Sequence, residues 1–207
     1  MDRRKFMSAV AMGAAGMALP GTASAEGQCA PICDAWGNCP QSYCSVGLPS
    51  GYVEFVAARQ RSSQWCWAAC IEMAFAARGF IIPQEVFVRE TWGDMVNMPG
   101  QPWQIVNALN RAYVDVKGRR FQAQGDVLTV NLDTMIDDLL HRQTLIVGAL
   151  GHATMLTGLG WVTDGWSKYV HDAVVRDPWP YQPSRRSLSA QEWFGIRFAV
   201  RIRCWGF

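Results

Sequence analysis

The sequence has few histidines, little net charge and no internal repeats. Only three of its 207 residues are histidine, and the formal net charge at pH 7 is +2. Residues 1–25, interpreted below as an export signal, hold three of the 19 basic residues and one of the 17 acidic ones, so 16 of each remain. A chain this close to neutral offers no basic surface for nucleic acid or for an anionic membrane.

A segment able to span a membrane is also missing. The apolar stretch at residues 9–19 is too short to cross a bilayer as a helix. It follows Arg3, Arg4 and Lys5 and precedes Ala23-Ser24-Ala25, an order typical of an export signal with its cleavage site. The arginine pair predicts a twin-arginine signal, and an ordinary secretory signal is the alternative. Either one places the exported chain in the periplasm or outside the cell.

Cysteines paired across two-residue gaps, the common zinc pattern, are missing although the chain has seven cysteines. Four of them lie in residues 26–50, a segment rich in Cys, Pro and Gly: Cys29, Cys33, Cys39 and Cys44. This composition predicts an irregular N-terminal cap held by two disulfides, with a zinc knot as the alternative. The odd total leaves at least one thiol free in a monomer. If that thiol is Cys66, the other six cysteines suffice for three bridges.

The most abrupt change in the chain comes at Cys66. A polar, Ser-rich loop ends there, and an almost uninterrupted apolar run follows over residues 67–77. This run predicts a buried helix that ends at Arg78-Gly79, where glycine can take the left-handed cap. Cys66 is therefore expected on the first helical turn, where free backbone N–H groups and the positive end of the helix dipole stabilise a thiolate.

Helical patterns fill the first half of the chain and strand patterns the second. Pro83 is expected at the start of a helix that reaches Glu90, and apolar residues at helical spacing predict a further helix from Trp103 to Ala112. Asn131 is expected to cap another helix that ends near His141. The later apolar runs, bounded by turn residues, predict successive antiparallel strands at residues 144–150, 152–159, 169–176 and 196–205. Residues 51–207 are therefore expected to form one domain of the α+β class, a helical lobe packed on an antiparallel sheet.

A nucleophilic thiol needs a base, a group that orients the base, and donors for an oxyanion. His152 opens an apolar strand between Gly151 and Ala153, which leaves space around its ring; a core histidine is the alternative. Asp177 ends another strand, where it can accept from His152, and Trp179 can shield that bond. A simple Asp-Pro turn is the alternative. Gln60 and Gln64 are both candidates for the side-chain oxyanion donor.

These residues resemble the papain-like cysteine peptidases, and most closely the bacterial papain-like and leader-processing-type members. The resemblance rests on Gln60, six residues before Cys66-Trp67-Ala68, followed in chain order by Gly151-His152-Ala153 and Asp177-Pro178-Trp179. It covers roughly residues 52–205.

The resemblance implies a helical lobe carrying the nucleophile Cys66 against a sheet carrying His152, with the cleft between them. It implies that His152 is the general base and acid, that Asp177 orients it, and that Gln60 rather than Gln64 donates to the oxyanion. It implies no cofactor and no metal, and a peptide or protein as substrate. Two departures stand out: Ser63 replaces a disulfide-forming cysteine, and the longer gap between His152 and Asp177 predicts an extended hairpin near residues 161–168.

Three functions fit these residues. The first is an exported cysteine peptidase that works through an acyl-enzyme. The second keeps the same triad in a transamidase, acyltransferase or deamidase, because only the acceptor and the groove differ. The third is a non-enzymatic binding domain in which Cys66 forms a disulfide. Cys70 is poorly placed as the partner of Cys66, whereas a disulfide with Cys204 stays open.

Overall fold

The computed structural model describes residues 27–54 and 56–206 of the chain as an α+β structure. The predicted export signal lies outside these residues. The helices are α1 (Ser50–Val53), α2 (Cys66–Ala77), α3 (Gln84–Trp92), α4 (Pro102–Leu109), α5 (Leu132–Leu140) and α6 (Ala190–Phe194). The strands are β1 (Gln28–Ile32), β2 (Gln41–Gly47), β3 (Arg111–Val114), β4 (Arg120–Leu128), β5 (Thr144–Ala149), β6 (His152–Thr163), β7 (Lys168–Arg176), β8 (Arg185–Ser187) and β9 (Ile196–Gly206).

The nine strands form one sheet whose pairs are all antiparallel. Its main path runs β1-β2-β6-β5-β9-β4-β3, and β7 pairs with both β6 and β8. Strand β6 is the centre of this arrangement because it pairs with β2, β5 and β7. Strands β6 and β7 also form the extended hairpin that the sequence predicted, with its turn at residues 164–167. Because His152 is the first residue of this long central strand, the sheet fixes its position.

Helix α2 has the bounds that the apolar run predicted. Ten of its twelve residues are buried, and the helix packs on β6 and β5. Gly79 ends it with φ of 83°. Its N–H donates to the Ala76 carbonyl at 2.8 Å, while the N–H of Phe80 donates to the Phe75 carbonyl at 3.0 Å. These two bonds form a Schellman cap, which explains the sharp end.

Helix α4 is shorter than the sequence predicted, because Ala112 lies in β3 rather than in the helix. The helix ends at Asn110, whose ψ of 62° is not helical. The Asn110 side-chain oxygen accepts the Gly125 N–H at 2.8 Å, and its amide donates to the Gly125 carbonyl at 3.3 Å. These two bonds tie the end of α4 to β4.

The N-terminal segment forms a β-hairpin, so the prediction of an irregular cap was wrong. Strand β2 joins the main sheet through β6, which gives the hairpin a backbone ladder that composition alone does not reveal. The two predicted disulfides are present as Cys29–Cys44 and Cys33–Cys39. Because all four sulfurs are bridged, they do not form the alternative zinc knot.

The third bridge for which the cysteine count leaves room is not formed among the described residues. Cys66, Cys70 and Cys204 are free thiols, and Cys204 lies on β9 while the other two lie on α2. The two disulfides are compatible with an oxidising compartment outside the cytoplasm. Among residues 27–54 and 56–206, no helix is long and apolar enough to span a membrane.

Candidate active site

Cys66 is the first residue of α2 and lies at the edge of a cleft. The turn before it is held by the Trp65 N–H, which donates to the Ser62 carbonyl at 3.1 Å. The N–H of Cys66 donates to no acceptor in the described part of the chain. A free N–H beside a thiol at the start of a helix is the donor that an oxyanion on an attacked carbonyl requires.

His152 is placed opposite by a two-residue turn between β5 and β6. Ala149 pairs with His152 across the hairpin, and the turn residues Leu150 and Gly151 have φ of 52° and 80°. The two-residue hairpin turn whose twist matches that of the strands requires positive φ at both of its residues. Glycine adopts this conformation freely, whereas Leu150 does so under strain. The tight turn brings the histidine to the first position of β6.

The His152 ring joins Cys66 to Asp177. Nε2 of His152 lies 2.8 Å from Oδ1 of Asp177, and the ring shares the cleft with Cys66, whose side chain is near enough to raise the pKa of the imidazole. An ionised carboxylate only accepts, so Nε2 is the donor and Nδ1 is the nitrogen left for the sulfur. The sequence therefore identified a thiol, imidazole and carboxylate that the fold brings together in that order.

Asp177 is the most enclosed member of the three, with 1% of its surface exposed. Oδ1 also accepts the Trp179 N–H at 2.8 Å. Oδ2 accepts from Nε of Arg186 at 2.6 Å. A buried carboxylate is tolerated when its oxygens are bonded in this way. Arg186 was not identified from the sequence, because nothing in its immediate neighbourhood distinguishes it from a surface arginine.

The ionisation of the pair follows from these contacts. Burial alone lowers the pKa of His152, but its hydrogen bond to Asp177 and its interactions with the nearby Cys66 and Asp177 side chains outweigh burial and raise it to about 9. For Asp177, burial raises the pKa, and the bonds from His152, Trp179 and Arg186 overcome this and lower it below its ordinary value. A carboxylate beside an imidazolium is therefore the favoured state at neutral pH.

Trp179 lies where the sequence predicted a shield. Its ring stands edge-on to the His152 ring, with centroids 6.0 Å apart and an interplanar angle of 82°. The loop that carries it is fastened by Arg59, whose Nη1 donates to the carbonyls of Trp179 at 2.6 Å and Gln182 at 2.9 Å. The indole thus limits the access of water to one side of the imidazole.

The cleft in front of Cys66 and His152 has a volume of about 360 Å³. One wall is the segment before α4, which contains Gly100. A Cβ at Gly100 would lie 2.5 Å from the Trp67 indole, so glycine is needed for this segment to approach α2 so closely. Residues 99–102 line the cleft.

The opposite wall contains a β-bulge. Ile196 pairs with Ala149 and Phe198 with Gly148, which leaves Arg197 as the extra residue. Bulges re-aim side chains and are frequent beside active sites. Arg197 lines the cleft and is exposed. Among the described residues that line this cleft, none is acidic.

The two glutamines differ in their surroundings. The Gln60 side-chain amide donates to the carbonyls of Ser62 at 3.0 Å and Ser63 at 2.9 Å, and its buried oxygen accepts from no described residue. Gln60 is also tied to the Asp177 loop, because its N–H donates to the Pro178 carbonyl at 2.9 Å. Gln64 is exposed. Neither glutamine lines the cleft, so the assignment of the side-chain oxyanion donor remains a prediction.

The other thiols are unsuited to nucleophilic chemistry. Burial raises the pKa of Cys70 well above its ordinary value, and the negative charges of Cys66 and Asp177 add to this effect. Burial likewise raises the pKa of Cys204 to about 12. A thiol that does not ionise near neutral pH is a poor nucleophile.

The other two histidines are remote from the three residues. His141 ends α5 and bonds the Asp137 carbonyl, as its sequence position indicated. His171 lies on β7 with its ring centroid 5.6 Å from that of Tyr43.

A larger cavity of about 600 Å³ contains neither a cysteine nor a histidine among its lining residues. Within the described ranges, no group of three or more His, Cys, Asp or Glu side chains is arranged to hold a metal ion. No protein-family model and no curated protein matches this chain.

Proposed function

We propose that this protein is an exported papain-like cysteine peptidase that hydrolyses peptide bonds through Cys66, His152 and Asp177. One observation carries the proposal. A single imidazole faces the same cleft as a helix-start thiol and hydrogen-bonds a nearly inaccessible carboxylate at 2.8 Å. This is the arrangement of nucleophile, base and orienting group by which a catalytic triad is recognised.

In the acylation step, the Cys66 thiolate attacks the carbonyl carbon of the scissile peptide bond. The resulting oxyanion accepts from the Cys66 N–H and, in the proposal, from the Gln60 amide. One of the two bonds that this amide makes to the Ser62 and Ser63 carbonyls is then exchanged for the oxyanion. The imidazolium of His152 gives its proton to the departing amine as the carbon–nitrogen bond breaks.

In the deacylation step, water attacks the thioester carbon. His152 accepts a proton from that water, the carbon–sulfur bond breaks, and the carboxylic acid leaves. The Cys66 thiolate and the His152 imidazolium are restored. Asp177 keeps the ring oriented and stabilises the imidazolium without itself taking a proton.

The architecture supports the papain-like proposal. A buried helix carries the thiol and an antiparallel sheet carries the histidine, and the cleft lies where the two meet. The order of Cys66, His152 and Asp177 along the chain agrees with the resemblance stated for the sequence.

The exported chain should be incubated with an unbiased peptide library and the products identified by mass spectrometry. We expect cleavage that Cys66→Ala abolishes, while Cys70→Ala, which removes the neighbouring thiol on α2, leaves cleavage measurable. An absence of cleavage by wild-type protein whose Cys66 is intact and reduced contradicts the proposal.

An added amine separates hydrolysis from transfer. If a primary amine becomes attached to the acyl product in preference to water, the enzyme is a transferase with the same triad. The non-enzymatic alternative with a bridged Cys66 is disfavoured because Cys66 is a free thiol.

A further inference from the structure

Asp177 is the first member of a chain of alternating charges that continues away from the cleft. Arg186 lies on β8 opposite Val175 of β7, and its Nε donates to Oδ2 of Asp177 at 2.6 Å. The oxygen that faces His152 is Oδ1. The carboxylate is therefore held from behind on the oxygen that His152 does not use.

The guanidinium of Arg186 also binds a second carboxylate, that of Glu192. Nη1 of Arg186 donates to Oε2 of Glu192 at 2.9 Å, and Nη2 donates to Oε1 at 2.6 Å. This two-pronged geometry gives both strength and a fixed direction to the arginine. Arg186 has only 17% of its side chain exposed, so these bonds are poorly screened by water.

Glu192 is itself fixed by the start of α6. Its Oε2 accepts the Ser189 N–H at 2.8 Å, and its own N–H donates to Oγ of Ser189 at 3.2 Å. This reciprocal pair is a capping box. Its Ser-x-x-Glu spacing is visible in the sequence, although it gives no indication of the contact with Arg186. The start of a short helix thereby determines where the arginine lies.

We propose, on the basis of the proposed peptidase function, that Arg186 is a positioning residue for the triad. Arg186 holds the Asp177 carboxylate with Oδ1 toward His152 and offsets part of the negative charge of that carboxylate. Glu192 fixes the position of the Arg186 guanidinium and determines how much of its positive charge acts on Asp177. Arg186 touches neither Cys66 nor the lining of the cleft.

The physical reason lies in the cost of a buried charge. A carboxylate with 1% exposure and only an imidazole beside it would either take up a proton or hold the imidazolium proton too tightly for transfer. A permanently charged guanidinium on the far oxygen prevents both outcomes. Cys66 on α2 and Asp177 after β7 act directly on the imidazole. The charged or titratable groups around them are Cys70, Arg186 and, through Arg186, Glu192, and Arg197 lines the same cleft as His152.

Two substitutions are expected to move His152 in opposite directions. Arg186→Gln removes the positive charge, so Asp177 acts on His152 more strongly and the pKa of His152 should rise by about one pH unit. Glu192→Gln leaves Arg186 bound to Asp177 alone, so the pKa of His152 should fall. Arg186→Lys keeps the positive charge but loses the planar guanidinium that binds both carboxylates. The pKa of His152 should therefore change little, while turnover falls roughly tenfold or more.

The experiment is an NMR titration of the His152 ring in the full exported chain that carries Cys66→Ser. His141→Gln and His171→Gln variants assign the signals. The titration does not depend on peptidase activity, so it can fail while the proposed function stands, and the library assay can fail while the titration succeeds. Circular dichroism establishes which variants are folded.

The expected result is a rise in the pKa of His152 for Arg186→Gln and a fall for Glu192→Gln. An unchanged pKa of His152 in folded Arg186→Gln would overturn the proposal and leave Arg186 with a purely structural role. If Arg186→Gln does not fold, an unchanged pKa in Glu192→Gln overturns it in the same way.

Discussion

Nε2 of His152 and Oδ1 of Asp177 lie 2.8 Å apart, and they join the first residue of β6 to the residue that follows β7. Because β6 and β7 pair along most of their length, the sheet itself holds this contact. The imidazole needs no movement of a loop to find its carboxylate. Catalytic groups placed on strands are held more closely than groups placed on loops.

Activity should fall on the alkaline side near pH 9. The active form in the proposal contains the protonated imidazole, and the pKa of His152 is raised to about 9. The imidazole therefore stays protonated at pH values well above 6.5, the ordinary pKa of histidine, and loses its proton as the pH passes 9. The measurement is kcat/KM from pH 5 to 10. Asp177→Asn removes a charge that raises this pKa, so it should move the alkaline limb to lower pH; an unmoved limb argues against His152 as its source.

Gln60 and Gln64 should respond differently to truncation. Loss of one oxyanion donor costs about 10²–10³-fold in kcat, so Gln60→Ala should lower kcat by that order. Gln64→Ala should leave kcat near the wild-type value, because Gln64 is exposed. Steady-state kinetics on one peptide from the library provides the comparison. The reverse pattern would transfer the role to Gln64.

Leu150 is a site of local strain next to the triad. Its φ of 52° costs a residue with a Cβ about 1–2 kcal/mol, and asparagine tolerates this conformation better. Leu150→Asn should therefore raise the free energy of unfolding by about 1 kcal/mol, measured by urea denaturation. The matched control is Val116→Asn, another exposed apolar position but without positive φ, where no gain is expected. Equal effects at both positions would show that strain is not the cause.

Arg197 should favour substrates with a carboxylate near the scissile bond. It is the extra residue of a bulge, lines the cleft and forms no ion pair with any residue in the described ranges. Arg197→Glu should lower kcat/KM for acidic peptides about tenfold or more relative to neutral ones, since opposite charges attract in a partly desolvated cleft. Arg120→Glu, an exposed arginine outside the cleft, is the control. A preference that survives Arg197→Glu contradicts this role.

The helix at Cys66 and the strand at His152 could be predicted because their signals are local. An apolar run beginning at one residue and ending at a glycine determines α2, and a Gly-His step before an apolar run determines the start of β6. Asp177 followed because a strand-ending acid needs a partner. That all three residues meet followed from the resemblance to papain-like peptidases, which includes their order along the chain.

Other features could not be read in this way because they depend on tertiary contacts. Arg186 becomes special only when β8 pairs with β7 and places it behind Asp177. The N-terminal hairpin was missed because β1 is short and exposed throughout, and β2 is stabilised by pairing with β6 rather than by an apolar pattern of its own. The state of Cys70 and Cys204, which the sequence left open, also depends on tertiary position, since Cys70 is buried within α2 and Cys204 lies on β9.

The central claim is that Cys66 is the activated thiol of this chain, and alkylation tests it most directly. The exported, oxidised protein is treated briefly with iodoacetamide at neutral pH, and the modified residues are located by mass spectrometry. We predict rapid modification of Cys66, slowed strongly by His152→Gln, with Cys70 and Cys204 modified only after unfolding. Modification of Cys70 or Cys204 while Cys66 stays inert would contradict the account.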